Sequence, residues 1–290
     1  MALDTTSHDI YRGTSGVELP KELSQEIIQG AIAQSAVMQL AQRIYLPGRG
    51  LAIPVITADP TVSIVNEAAE KPVSNSTFSN KNMIPKKFAV VELVSMEFRR
   101  DLPRLYDALV QRLPGAIAKA FDKQVLTESA LTGFDSLAGA TSISSGDTFA
   151  EKIANGIKAI AADGYRLNGY AASAAAEAEL VTAHDSLGRP LFMPSTEEGS
   201  VGRVYGGEIV PCKSITNLIG GDWTKAFYGV VDGINIRFSE EATVNDGSAQ
   251  INLWQRNMVG ILCEAELGFV CADTDAFFQV PVEGATGETA

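Results

Sequence analysis

The chain has 290 residues, 46% hydrophobic, 20% charged and 7% aromatic, with a formal net charge of −12. That is apolar enough for a large core and too apolar for a disordered chain, and no stretch approaches the roughly 18 consecutive apolar residues of a membrane span. Residues 1–100 carry ten basic and ten acidic groups, so the whole excess lies in 101–290, whose acidic surface repels phosphates and excludes a groove-reading nucleic-acid binder.

The first nine residues, Met1–Asp9, are polar and acidic where an export leader is basic and then apolar, so the expected compartment is the cytoplasm. Leu23, Ile27, Ile28, Ala31, Ile32, Leu40 and Ile44 recur at helical spacing and predict a helix through Gln42 and Arg43, loosened near Gly30. The turn cluster Leu46–Gly50 closes it, and strands are expected at 51–57, 63–66 and 88–96. Between the strands, the polar stretch 67–82 has almost nothing to bury. As a structureless insertion it is far longer than the usual connection of about 4–6 residues, so it is expected to project toward a partner on another molecule.

The longest helix signal follows. Asp101 suits the N-cap, Pro103 the first turn, and Leu105, Leu109, Leu113, Ile117, Phe121 and Val125 form a stripe at four-residue intervals. From Leu102 to Ser129 such a helix is about 42 Å long at about 1.5 Å per residue, with a kink expected at Pro114. Thr148 and Glu151 form a capping box for a helix ending near Gly164, and Ser173 caps a second helix over 174–183 after a short strand at 169–172. The segment 188–211 reads as a long loop. Strands are expected at 226–231, 234–238, 249–255, 258–265 and 277–280, with a turn at Asn245–Gly247.

Catalytic motifs are missing: no dinucleotide glycine fingerprint, no phosphate loop, no serine elbow, no zincin helix. His8 and His184 are the two histidines, and neither has the neighbours of a base or a metal ligand. Cys212, Cys263 and Cys271 show no metal or disulfide spacing and read as small buried apolar groups. The carboxylate pairs Glu177/Glu179, Glu197/Glu198 and Glu240/Glu241 read as solvated faces, and Asp273/Asp275 as a loop. No cofactor and no catalytic residue is expected.

Several strings in order resemble the major capsid proteins of tailed bacteriophages with the Hong Kong 97 fold. They are Asn66–Pro72 with Thr77-Phe78 and Ile84–Ala89, then Ser95–Asp101 before the long helix, Asp185–Leu191, Gly206–Val210, Gly221–Tyr228, Gly233–Ile236, and Arg256-Asn257 through Ala265. The resemblance runs from about Leu19 to Pro281. It implies an α+β fold with an N-terminal arm and helix (1–45), an extended-loop β-hairpin (46–98), a peripheral domain with the long spine helix (99–132), an axial α/β domain (133–230), peripheral-domain strands (231–265) and a segment returning to the axial domain (266–290). The implied function is structural: self-assembly into pentamers and hexamers of an icosahedral shell around double-stranded DNA, which it encloses without sequence-specific binding. The protein would reside in the virion, be assembled in the host cytoplasm, and have portal, scaffold and possible decoration proteins as partners. Some members carry a long helical scaffolding segment ahead of the arm, and only about 20 residues precede the first helix here, so either a separate scaffold protein is used or such a segment is cleaved or never existed.

On the extended loop, Lys71, Phe78, Ile84 and Lys86 are the expected inter-subunit contacts. Some members crosslink a loop lysine to an asparagine. Lys71 and Lys81 are the nominal donors here and Asn245, Asn252 and Asn257 the nominal acceptors, but no spacing singles out a pair, and crosslinking is the disfavoured reading. One band near 30.8 kDa on a denaturing gel of mature particles excludes it. Two rivals remain: an encapsulin-type compartment shell with a protein cargo, and a soluble α+β hydrolase or binding protein.

Overall fold

The computed structural model describes residues 29–58, 62–66, 71, 73, 77–96, 102–184, 189–194, 201–231, 234–245 and 250–282. A helical turn at 29–34 precedes α1 (Ala36–Leu40), β1 (Gln42–Tyr45), β2 (Leu51–Ala58), β3 (Thr77–Met83), β4 (Lys86–Ser95), the long helix α2 (Leu102–Leu126), β5 (Thr141–Ser142), α3 (Phe149–Ala162), β6 (Gly169–Ala172) and α4 (Ala174–Thr182). Then come β7 (Met193–Pro194), β8 (Gly202–Val204), β9 (Gly207–Pro211), β10 (Leu218–Gly221), β11 (Ala226–Val230), β12 (Asn235–Ser239), β13 (Thr243–Asn245), β14 (Gln250–Asn252), β15 (Met258–Cys271) and β16 (Phe277–Val280).

Two sheets organise these elements. In the five-stranded sheet the 14-residue β15 is the axis: β4 pairs antiparallel along one edge, from Met258↔Ser95 to Leu267↔Lys86. Along the other edge lie β12 and then β11, and β1 adds in parallel to β11. The seven-stranded sheet runs β5-β16-β10-β6-β9-β8-β7, with α3 packed on β16. The hairpins β2–β3 and β13–β14 are separate two-stranded ladders.

The α2 stripe explains the core beside the five-stranded sheet. Leu113, Ile117, Phe121 and Val125 are buried, and Phe121 meets Phe88 of β4, Phe134 and Phe269 of β15 at ring centroid distances of 5.9, 6.1 and 6.4 Å. Burying one such side chain is worth about 1.5–3 kcal/mol, so this aromatic cluster fastens α2 to the sheet. A second core under the seven-stranded sheet gathers Ile153, Ile160, Tyr170, Leu180, Ile209, Leu218 and Phe278. Trp223 stands at the junction, edge-on to Phe277 at 5.2 Å, its indole N–H donating to the Gly169 carbonyl at 3.0 Å.

Local end signals hold. Thr148 Oγ accepts from Glu151 N at 3.2 Å, and the Glu151 carboxylate reaches back to Asp147 N at 2.9 Å. Ser173 Oγ accepts from Ala176 N at 3.1 Å. Gly164 has φ of +82° after α3, and α2 continues through Pro114 to Leu126, three residues short of the expected end and about 37 Å long.

Other expectations need correction. The first helix breaks at Ser35, not Gly30, and Gln42–Tyr45 is a strand. Leu40 and Ile44 are four apart, which puts two residues on one face of either a helix or a strand, and the parallel ladder with β11 decides the matter. Residues 62–66 form no strand, whereas 77–83, inside the stretch expected to be structureless, is β3. The segment 188–211 contains β7, β8 and β9, β15 extends six residues beyond 265, and β10 is an additional strand. Sheet membership places β11, within 133–230, beside β15, and places β16 in the seven-stranded sheet. Asp101, His8, Glu197, Glu198, residues 1–28 and the turn at Asp246-Gly247 lie outside the described residues.

Candidate functional site

The feature that most needs a partner is the β2–β3 hairpin. Its ladder runs from Leu51↔Met83 to Ala58↔Thr77, with an irregularity between Ile56 and Ala58. The root is built into the molecule: Met83, Leu46 and Val270 are fully buried together, with Leu51 and Ile53 against them. Gly50, at φ +89°, permits the turn into β2, because a Cβ there would stand 2.6 Å from the Met83 carbonyl oxygen. Ile84 N donates to the Gly133 carbonyl at 2.6 Å, and its side chain occupies the space a Cβ on Gly133 would take.

Lys81 pins the stem. Its Nζ donates to the Cys271 carbonyl at 2.6 Å and meets Asp135 Oδ2 at 3.4 Å, and the same oxygen accepts from Cys271 N at 3.2 Å. The stem is thereby tied to the end of β15 and to the loop after α2. Beyond it, among the described residues, Val62, Ile64 and Val73 are each at least 90% exposed. An isolated two-stranded ribbon is marginal in water, and the exposed aliphatic side chains of Val62, Ile64 and Val73 beyond its anchored root leave apolar surface uncovered in the single chain.

The expected contact residues divide between the two ends. Lys71 is exposed on the outer part of the hairpin. Phe78 pairs with Ile56 in the ladder, and its side chain lies outside the described residues. Ile84 and Lys86 sit at the root, Ile84 against Gly133 and Lys86 opposite Leu267 of β15. Sequence reasoning missed Val62, Ile64 and Val73, although Val62-Ser63-Ile64-Val65 is rich in β-branched residues.

The nominal crosslink residues are far apart within one chain. Lys81 lies at the Cys271 end of β15, whereas Asn257 precedes its start and Asn245 and Asn252 lie in the β13–β14 hairpin. Thirteen steps of about 3.3 Å put the two ends of that strand about 43 Å apart. Lys81 is also committed to Asp135 and the Cys271 carbonyl, and Asn252 Oδ1 accepts from Gln255 N at 3.1 Å.

Chemistry of other kinds is sparse. Among the described residues no group of three or more His, Cys, Asp or Glu side chains is placed to hold a metal ion. A polar cleft between the start of α3 and the end of α4 is lined by Asp147, Lys152, Glu179 and His184, but the His184 Nδ1 is engaged with the Thr182 carbonyl of its own turn at 2.5 Å. The three thiols are buried, and burial pushes each up to about 12. No helix among the described residues is long and apolar enough to cross a membrane. One buried carboxylate stands out, Asp122 of α2, which joins the segment before β1 to the long helix. It accepts from Ser35 Oγ at 2.5 Å, Ala36 N at 3.0 Å and Val37 N at 3.3 Å, with Cys212 Sγ at 3.7 Å.

Comparison with known proteins matches this architecture. The chain is 28% identical over 283 residues to the probable major capsid protein gp17 of Mycobacterium phage D29, covering 89% of this chain and 88% of that one. Among solved structures, a chain of Mycobacterium phage Bobi superposes with a TM-score of 0.67 at 23% identity, covering 87% of this chain and 91% of that one. The capsid of an empty GTA particle, computed with C5 symmetry, superposes at 0.64 with 13% identity, over 85% and 89%. The fold is therefore the Hong Kong 97-like α+β fold expected from the sequence. The sequence model of the phage capsid family spans residues 15–280, and this chain belongs to that family.

Proposed function

We propose that the chain is the major capsid protein of a tailed phage, a non-catalytic subunit whose copies assemble into the icosahedral shell around the double-stranded DNA genome. The observation that carries this reading is the pinned hairpin with a bare aliphatic tip, a surface built to be buried by something outside its own chain. In this reading the hairpin lies over the adjacent subunit, with Val62, Ile64, Val73, Lys71 and Phe78 as its contacts and Ile84 and Lys86 setting its root. The five-stranded sheet with α2 is the peripheral domain. The seven-stranded sheet with α3 and α4 is the axial domain around five- and six-fold axes. Contacts of this heterologous kind close into rings.

The acidic excess of residues 101–290 suits a wall that holds DNA without adhering to it. Scaffold, portal and decoration proteins are the further partners, and assembly takes place in the host cytoplasm before the subunit becomes part of the virion. The experiment is assembly of the purified full-length chain, followed by sedimentation and negative-stain microscopy, beside a Val62→Asp/Ile64→Asp variant. Wild type forms shells and the variant, equally folded by circular dichroism, does not. A wild-type chain that stays at 30.8 kDa under every assembly condition refutes the proposal, as do shells that form equally well from the variant. Particles from infected cells that hold a protein cargo and no DNA favour the encapsulin reading instead.

A further inference from the structure

The N-terminal segment 29–41 lies along α2 and is fastened there at one carboxylate. Its approach is close: a Cβ on Gly30 would stand 3.1 Å from the Pro114 ring, and one on Gly115 would stand 2.9 Å from Gln34 Oε1. Further along α2, Asp122 accepts from the Ser35 hydroxyl and from the N–H groups of Ala36 and Val37, where the first helix breaks and α1 starts. The Cys212 thiol, just after β9, reaches Asp122 Oδ2 at 3.7 Å. One side chain thus joins the N-terminal segment, α2 and the seven-stranded sheet.

The apolar hold on the segment is modest. Ala31, Ala36, Val37, Met38 and Ala41 are its buried apolar side chains, and only Val37 and Met38 exceed alanine in size. Lifting the segment therefore costs a fraction of unfolding the aromatic cluster that fastens α2. No titratable residue lies between Gln29 and Gln42. On α2, Lys119 and Lys123 are exposed, and Lys123 is paired with Glu128. From the sheet, Cys212 is the titratable group that faces Asp122, and Lys213 after it is exposed. Asp122 forms no ion pair among the described residues. A buried charge without a counter-ion is costly, and this one regains water as soon as the segment lifts.

We propose that Asp122 is a proton-operated latch for the segment 29–41: protonated it keeps the segment docked, and ionised it lets the segment open as a unit while both cores stay folded. β1 remains on β11 from Gln42 onward, and Ala41, extended at φ −81° and ψ 158°, is the hinge. Burial pushes the carboxyl up to about 6, so docking is firmest at low pH and weakens as the pH rises through that value. Residues 1–28 precede this segment, so the latch decides whether that stretch of chain leaves the subunit in a fixed direction. The latch belongs to the single subunit and does not depend on the shell-forming reading.

The test is hydrogen exchange with mass spectrometry on the dissociated full-length subunit between pH 5 and 7, with and without low urea, corrected for the intrinsic pH dependence of exchange. The segment exchanges ahead of β10 and β15, through an opening almost independent of urea. Its opening constant rises about tenfold from pH 5 to 7 and levels off above about 6. Asp122→Asn abolishes the rise. Ser35→Ala removes a bond that favours the ionised form, so the levelling-off moves to higher pH, a shift that a merely structural role for Asp122 does not produce. A segment that exchanges only together with β15 overturns the latch, as does a wild-type opening constant flat with pH. A rise that survives in Asp122→Asn, or a levelling-off unmoved in Ser35→Ala, overturns it too. If either variant fails to fold, the wild-type pH profile and urea dependence decide.

Discussion

Asp122 offers the sharpest test of the fold's energetics. Asp122 is 3% exposed near the C-terminal end of α2, and its carboxylate receives the Ser35 hydroxyl and the N–H groups of Ala36 and Val37, the first residues of α1. These bonds favour the ionised form, but burial outweighs them and pushes the carboxyl from 3.8 up to about 6. The folded chain therefore binds this proton more tightly than the unfolded chain does. The stability this contributes is complete below about pH 4 and is lost as the pH rises through about 6. At about 1.36 kcal/mol for each tenfold change in proton affinity, the swing is about 3 kcal/mol.

Asp122→Asn keeps the shape and removes the titration. Urea unfolding of the dissociated full-length subunit, followed through the buried Trp223, measures stability for both proteins between pH 4 and 7.5. Every other carboxylate contributes equally to the two curves, so the difference isolates Asp122: wild type loses between about 2 and 3 kcal/mol relative to the Asn variant from pH 4 to 7, the rest of the swing lying below pH 4. Parallel curves across that range refute the account. Asp122→Ala leaves a buried hydroxyl and two backbone N–H groups without their acceptor and is destabilised at every pH, at about 1–3 kcal/mol for each orphaned group.

Two further expectations follow from packing. Gly156→Ala improves helix propensity in α3 by about 1 kcal/mol, yet its Cβ enters the ring of Phe278 at a cost of about 1–3 kcal/mol, so the net effect is a loss of up to about 2 kcal/mol and a lower Tm; a higher Tm shows that α3 does not press on β16 as described. Cys212, Cys263 and Cys271, buried and with thiols pushed up to about 12, stay unreactive toward a disulfide reagent at pH 8 in the folded subunit and all three react in urea, so rapid labelling of any of them without denaturant contradicts the packing.

What could be read from the sequence was what is written within one or two turns. Thr148 with Glu151, Ser173 before its helix, and Leu113, Ile117, Phe121 and Val125 along α2 each carry their structural reason in neighbouring residues. The elements that escaped take their reason from elsewhere in the chain. β10 is Leu-Ile-Gly-Gly, a composition that suggests a loop, and its glycines are there because Tyr170, Phe277 and Phe278 lie over them. Among its described side chains β3 buries only Met83, at its root end, so most of it can be polar, and its strand conformation comes from pairing with β2.

The order of elements and the projecting hairpin were legible because they follow from pattern and length. Which apolar side chains stay exposed was not. An exposed aliphatic group in a polar stretch, such as Val62, and an exposed indole in a turn, such as Trp254, satisfy no rule inside their own chain. They stand where helix periods and strand alternation make no demand, so the periodicities that reveal a core are silent about them. Trp254 sits on a turn closed by the N–H groups of Arg256 and Met258 on the Leu253 carbonyl, and the hairpin stem behind Val62 is held by Lys81. Exposed apolar groups gain nothing for the lone subunit, and in the shell-forming reading those of the hairpin are covered by a neighbour.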